Sequence, residues 1–178
     1  TRFFLFFLWS FASLGILSAE EVQKITEDAH LLFKEGRLIS LMGLTIMPET
    51  VSLIAALVSH KQVEVELEPS ETDKAYIYLN TDEINLPFDP IQKPKSNRIM
   101  LNEILISIGA ARVDDGQDFS KKSQFNALEE EAKQKALTYF LNHYKWDLKI
   151  HPEGHDGVDI GGKTQDGQNV FIEVKGTL

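Results

Sequence analysis

Between residues 99 and 140 the apolar positions follow two helical repeats. In IMLNEILISIGAARV, Leu101, Ile104, Leu105 and Ile108 recur at the i, i+3, i+4, i+7 spacing of one buried face. Asn102 stands where an N-cap is expected. Gly109 stops the helix, because Gly takes the left-handed conformation past a helix end without strain. Residues 110–113 then read as extended. After the polar loop DDGQDFSKKSQ, Phe125, Leu128, Ala132, Ala136 and Phe140 form one stripe of a second helix over 124–142. Glu129, Glu130, Lys133 and Lys135 are expected on its wet face. Two helices of this size need a partner surface, and the β-rich stretch before them is the candidate.

That stretch alternates in short runs. Residues 22–25, 29–33 and 38–44 read as successive strands, with a turn at Lys34-Glu35-Gly36. Pro48 disfavours helix at Met47 and ends the run. Residues 51–58 are continuously apolar and read as a helix or helix-like crossover. In KQVEVELE, residues 61–68, Val63, Val65 and Leu67 share one face and the acids the other, which is the pattern of a half-buried antiparallel strand. Residues 75–79, AYIYL, make another. Residues 80–98 are polar, contain Pro87, Pro90 and Pro94, and read as a long surface loop. About five short strands, a helix between them and helices after them is the make-up of a small Greek-key barrel such as an OB-fold. The expected class is mainly β with helices, α+β, with the C-terminal helices packed on the barrel. There is no internal repeat.

Composition narrows the partners. The formal net charge of -9 argues against a strongly basic, non-specific nucleic-acid binder, since such binders neutralise phosphates with Lys and Arg. It leaves open a nuclease whose metal ions carry the positive charge. The absence of Cys removes disulfides and thiolate metal sites. Residues 2–19, RFFLFFLWSFASLGILSA, combine one Arg, a long apolar run and a small-residue end at Ser18-Ala19. This is the pattern of a secretory signal peptide, with a membrane anchor as the alternative. The expected location is secreted or in the cell envelope (periplasmic), with membrane as a partner if residues 1–19 stay as an anchor. The chain starts at Thr1 and stops within a strand-like EVKGTL, so a fragment of a longer reading frame is expected.

Over residues 22–140 the order of segments resembles the thermonuclease (staphylococcal-nuclease-like) family. VQKITEDAHLLFKEG resembles that family's strand–DGDT–strand opening, and ISLMGLTIMPE its V-R-L-x-G-I-D-T-P-E segment. KQVEVELEPSETDKAYIYL resembles the strand pair around D-x-x-G-R-x-L-A-Y-V-Y. LNEILISIGAARV and FNALEEEAKQKAL resemble the last strand and two helices. The resemblance implies an OB-fold barrel that cleaves phosphodiesters with a Ca²⁺ held by acids, a glutamate base and two arginines on the phosphate. The matching positions here are mostly changed. The first acid of DGDT falls on Glu27, the second on Ala29, the first arginine on Ser40 and the aspartate of D-T-P-E on Thr45. Glu49 matches the general base, or is a surface acid on a turn. The second arginine's turn is shortened, leaving Asp73 and Lys74, and Arg37 lies one strand-length from Ser40 as a substitute for phosphate binding. The expectation is a barrel that keeps the fold and has lost most of its catalysis.

The tail, 141–178, lies beyond that resemblance. It reads as a helix end, a strand over 147–150, a Gly-rich bend, a strand over 158–160, a turn at Gln165-Asp166-Gly167 and a strand over 169–175. This order, with Asp159 followed by Glu173-Val174-Lys175, resembles the PD-(D/E)xK restriction-endonuclease-like core. Asp159 and Glu173 on neighbouring strands would then hold one Mg²⁺, and Lys175, two residues on, faces the same side as Glu173 to orient water. An exposed acid-and-lysine hairpin is the alternative. One of Glu129, Glu130 and Glu131 could add a ligand if their helix packs on that sheet. His151 and His155 are a further metal pair or plain loop residues.

The expected organisation is therefore a leader or anchor at 1–19, a thermonuclease-like domain at 20–140 and a β-hairpin tail at 141–178. The leading expectation is an exported, catalytically impaired OB-fold protein that binds nucleic acid or protein. The alternative is a metal-dependent nuclease with Asp159 and Glu173 as metal ligands and Glu173 and Lys175 as catalytic residues, or a residual thermonuclease site at Glu49. A structural envelope domain is a third. No cofactor is fixed by the sequence; Mg²⁺ or Ca²⁺ is implied if the protein is active.

Overall fold

Strand β1 (Leu17–Ile25) starts a meander in which β2 (Leu31–Phe33) and β3 (Leu38–Leu41) follow antiparallel. The computed structural model describes residues 17–83, 97–150 and 159–172. Strand β4 (Leu44–Ile46) and helix α1 (Val51–Val58) lead into β5 (Gln62–Leu67), which returns beside β1. Strand β6 (Lys74–Asn80) pairs with β5, and the short β7 (Arg98–Met100) pairs with β6. The result is a six-stranded, largely antiparallel sheet in the order β3-β2-β1-β5-β6-β7. Strand β3 also pairs with β6, in parallel, through Ser40↔Lys74 and Leu41↔Ala75.

Helix α2 (Leu101–Ser107) follows β7 directly, and β8 (Ala111–Val113) pairs with β4. Helix α3 (Lys122–Tyr144) runs to a separate three-stranded antiparallel sheet, order β11-β10-β9, made of β9 (Asp147–Ile150), β10 (Ile160–Lys163) and β11 (Asn169–Ile172). The fold is α+β, with three α-helices among the described residues. Helix α3 packs on α2 and β8 with one part and on β9 with another, so it belongs to both sheets.

Strand β6 sits between two apolar clusters, as its period of two requires. Ala75, Ile77 and Leu79 join the main core with Val22, Phe33, Ile39, Ile54, Val65 and Leu105. Tyr76 faces the other way, into a second cluster with Met42, Ile106, Phe119 and Phe125. Phe125 meets the Tyr76 ring edge-on at 6.0 Å, which fixes the start of α3 over β6.

Asn102 is not an N-cap. The residue before the helix is Met100, which makes no side-chain cap, and Asn102 lies fully buried in the first turn. Its carboxamide oxygen accepts the Ile77 N–H at 3.1 Å, and its nitrogen donates to the Met42 carbonyl at 3.1 Å and the Ala75 carbonyl at 3.4 Å. The side chain thus serves backbone groups at the point where β3 and β6 meet.

Other expectations shift for local reasons. The single strand over 38–44 breaks into β3 and β4 at Gly43, whose φ is +71° and whose missing Cβ would fall 2.4 Å from the Phe119 ring. Ala29 is not a strand residue; it takes a φ of +61° in a turn closed by Thr26 N–H to His30 O at 2.9 Å. Asn80 belongs to β6 and Arg98 to β7, with a 3-10 turn at Thr81–Glu83, so the expected loop over 80–98 is shorter. Residues 84–96 lie outside the described residues. The strand expected over 158–160 runs instead from Ile160 to Lys163. Of the expected leader, residues 1–16 lie outside the described residues, while Leu17, Ser18 and Ala19 pair with Glu66, Val65 and Glu64 in β5. No described helix is long and apolar enough to cross a membrane.

Acids on β5 tie α3 to the sheet. Glu68, although acidic, is buried, and accepts hydrogen bonds from the Tyr76 hydroxyl and from Ser120 Oγ at 2.9 Å. Glu66 accepts from the Tyr78 hydroxyl and from Lys121 Nζ at 3.1 Å. Burial pushes the Glu66 carboxyl up, but those two hydrogen bonds and the charges of Lys121 and Arg98 outweigh it and hold the group below its ordinary value of 4.5. A depressed folded-state pKa adds stability above the ordinary value that is lost as pH falls through the folded one. Glu66→Gln should therefore lower Tm at about pH 6.5, and the gap to wild type should narrow as pH falls below 4.5, read by thermal unfolding across that range.

Candidate functional site

The turn between β1 and β2, the strand β3 and the 3-10 turn Pro48–Thr50 converge on a cleft of about 360 Å³. Glu27, Asp28, Ala29, Ser40 and Pro48 line it. The fold thus gathers the positions at which the thermonuclease resemblance places a metal acid and an arginine, and puts Glu49 beside them in the same 3-10 turn. Thr50 anchors that turn by donating its hydroxyl to Met47 O at 2.7 Å and Ala110 O at 3.1 Å. Beside Glu27 and Asp28, the cleft presents Ala29 and Ser40, a methyl group and a neutral hydroxyl, where the resemblance calls for a second acid and an arginine. Among the described residues no three His, Asp or Glu side chains converge on a metal-sized point.

The two cations named for phosphate binding are placed differently. Arg37 donates to the Glu20 carboxylate and lies over the Phe33 ring at 5.6 Å. Lys74 stands across from Ser40 in the parallel pairing, on the rim of the β3–β6 seam.

The other candidate position, Asp159, has a charged setting. Its backbone N–H donates to Ile172 O at 3.1 Å, which fixes it at the head of β10 beside the end of β11. Its carboxylate, only 12% exposed, pairs with Arg112 Nη2 at 3.1 Å and with Lys133 Nζ at 3.9 Å. Arg112 comes from β8 of the β4–β8 pair and Lys133 from α3, so that pair, the three-stranded sheet and the helix meet here. Glu129 lies one helical turn before Lys133. Burial raises its pKa, Lys133 and a hydrogen bond from the Val113 backbone lower it, and the charges of Asp115 and Asp159 raise it further. The two carboxylates are therefore electrostatic neighbours.

This overturns the expected wet face of α3 at two positions. Glu129 is half-buried and Lys133 has a side chain only 15% exposed, whereas Glu130 and Lys135 do face water. Of the three consecutive acids, Glu130 pairs with Lys133 at 3.2 Å and Glu131 with Lys135 at 2.8 Å, while Glu129 is half-buried and takes a hydrogen bond from the Val113 backbone. Sequence reasoning did not single out Arg112 or Lys133. The i, i+4 spacing of Glu129 and Lys133 was the only trace of the arrangement. Glu173, Lys175, His151 and His155 lie outside the described residues.

The donor chemistry at Asp159 suits a hard divalent cation. Asp159 and Glu129 offer oxygen ligands of the kind Mg²⁺ takes, and their mutual repulsion is what a cation would relieve. Arg112 and Lys133 supply the compensating positive charge.

No protein-family model matches the chain, and no curated protein matches it significantly.

Arg37 is committed to Glu20 and Phe33, so its loss should register in stability. We expect Arg37→Ala to cost about 1 kcal/mol in urea unfolding while changing affinity for single-stranded DNA less than about twofold.

Proposed function

We propose that the protein acts on nucleic acid as a metal-dependent phosphodiesterase, with Asp159 and Glu129 on the catalytic face and the larger sheet as a substrate-binding domain. The observation that carries this reading is the Asp159 carboxylate, held at the head of β10, 12% exposed and electrostatically coupled to Glu129 of the helix that packs on the same sheet. Helix, three antiparallel strands and an acid at the head of the middle one follow the order of the PD-(D/E)xK resemblance. The residues after Ile172 are Glu173, Val174 and Lys175.

In that role Asp159, Glu129 and Glu173 hold Mg²⁺, which supplies Lewis acidity toward the scissile phosphate. Lys175 orients the attacking water. Arg112 and Lys133 fix the Asp159 rotamer by pairing with its two oxygens.

The larger sheet reads as an OB-fold barrel. Supporting this, the pairings β1–β2, β2–β3, β3–β6, β6–β5 and β5–β1 form a closed circuit, with α1 between β3 and β5. Such barrels bind oligonucleotides in several settings. A second reading, a catalytically silent binding or interaction module, is favoured by the cleft at Ala29 and Ser40, where the thermonuclease ligand set is gone. The apolar run before β1 supports export or anchoring. Because residues 17–19 are rungs of the β1–β5 ladder, processing before Leu17 keeps the strand whole, whereas processing after Ala19 removes three rungs.

The test is cleavage of end-labelled single- and double-stranded DNA with Mg²⁺, Ca²⁺ or EDTA. We expect cleavage with Mg²⁺ that EDTA abolishes, that falls at least about 100-fold in Asp159→Asn and Lys175→Ala, and that persists in Glu49→Ala. No cleavage under any condition would overturn the enzyme and leave the binding module. Loss in Glu49→Ala with retention in Lys175→Ala would move the chemistry to the cleft of the larger sheet.

A further inference from the structure

The end of α3 carries an aromatic ladder that neither core absorbs. Tyr139 stacks on His143 at 4.0 Å and 26°. Tyr144 stacks on Trp146 at 4.8 Å and 28°, and Phe140 lies nearly parallel to Trp146 at 5.9 Å and 8°. Tyr139 and Tyr144 are 51% and 47% exposed, among the most exposed large apolar residues described. Lys145 makes the turn that brings Trp146 back on the ladder. It takes a φ of +52° and donates its N–H to Leu141 O at 3.1 Å. A left-handed Lys costs on the order of 1 kcal/mol, a strain the stacked ring helps to hold.

The surrounding charge is unlike that of the chain as a whole. Residues 139–150 carry Lys145 and Lys149 against the one acid Asp147, in a protein with a net charge of -9, while Lys133 and Lys135 earlier on α3 pair with Glu130, Asp159 and Glu131. Wet rings in two stacks, which meet edge-on at Tyr139 and Tyr144, and the lysines beside them present what unpaired bases and their phosphates take: π-faces for stacking and local positive charge. An apolar protein partner would not call for the lysines, and a duplex hides the faces of its bases.

We propose that this ladder is a stacking platform for a single-stranded nucleic-acid segment, with bases on Tyr139 and Tyr144 and phosphates on Lys145 and Lys149. It lies on the helix that carries Glu129 and Lys133; from Lys133 to His143 the rise is about 15 Å. The platform would thus deliver an unpaired strand along α3 to the face at Asp159. Only that delivery rests on the phosphodiesterase reading; the binding itself is read without cleavage.

The experiment titrates the full chain, with Trp9→Phe so that Trp146 is the single tryptophan, with an oligothymidylate in EDTA while following tryptophan fluorescence. We expect saturable quenching that weakens with salt. Affinity should fall about 10-fold or more in Tyr139→Ala and Tyr144→Ala, and hold in Tyr139→Phe and Tyr144→Phe. An abasic strand and a blunt duplex should bind more weakly than the oligothymidylate. Unchanged affinity in both alanine variants, with the far-ultraviolet spectrum retained, would overturn the platform. Equal binding of the abasic strand would overturn it too, by reducing the contact to phosphates. Self-association with no oligonucleotide affinity would instead assign the face to a second copy of the chain. Because EDTA removes any metal-dependent cleavage, binding that persists in a protein with no cleavage in Mg²⁺ overturns the phosphodiesterase alone.

Discussion

The side chain of Asn102 is the interaction on which the larger sheet depends. It occupies the point where β3 stops running beside β6 and the backbone groups of both strands would otherwise lack partners. Met42 donates its own N–H to Ala75 O at 2.9 Å, and Asn102 takes over from there, serving Met42 O, Ala75 O and the Ile77 N–H. Buried peptide groups without partners cost about 1–3 kcal/mol each, so a single carboxamide that satisfies several has a large effect. It also fixes α2. A helix held at its first turn by strand hydrogen bonds cannot slide, and Leu101, Ile104 and Leu105 then pack the core beneath it. The covering of β6 on its second face follows, because Ile106 and Phe125 can close over Tyr76 only when α2 is in place.

From that framework the chemistry divides in two. At the positions matched by the thermonuclease resemblance, the larger sheet keeps an acid at Glu27 but carries Ala29 and Ser40 where a second acid and an arginine would stand. Its arginine, Arg37, is paired within the fold. At the far side of α3 the opposite holds. Asp159 lies within electrostatic reach of Glu129, and two basic side chains from different elements pair with it. A fold that relied on apolar packing alone would not place four charges together at low exposure. Such clusters of charge at low exposure mark candidate functional sites.

Much of the local structure was legible in the sequence. The 61–68 alternation gave β5 with Val63 and Val65 inside, the apolar run 51–58 gave α1, and Gly109, at a φ of +69°, ends α2 as its position suggested. These features are set by neighbours within a few residues. What stayed hidden was set by distant ones. Gly43 breaks a strand because Phe119, far along the chain, occupies the space of its Cβ. Glu68 reads as a wet acid, yet it is buried because Tyr76 and Ser120 arrive to bond it. Asn102 has the composition of a cap and the place of a cap, and only the seam between β3 and β6 turns its side chain inward. At the candidate site Asp159 was legible as an acid, though within a strand read over 158–160 rather than ahead of β10, while Glu129 was lost among three consecutive glutamates until the packing of α3 half-buried it.

The most direct test is the unfolding free energy of Asn102→Ala, measured in urea beside wild type. Stranding the Ile77 N–H and the Met42 carbonyl in the core should cost about 3 kcal/mol. A loss below about 0.5 kcal/mol with an unchanged denaturant slope would contradict the account, since it would mean the seam holds without the carboxamide.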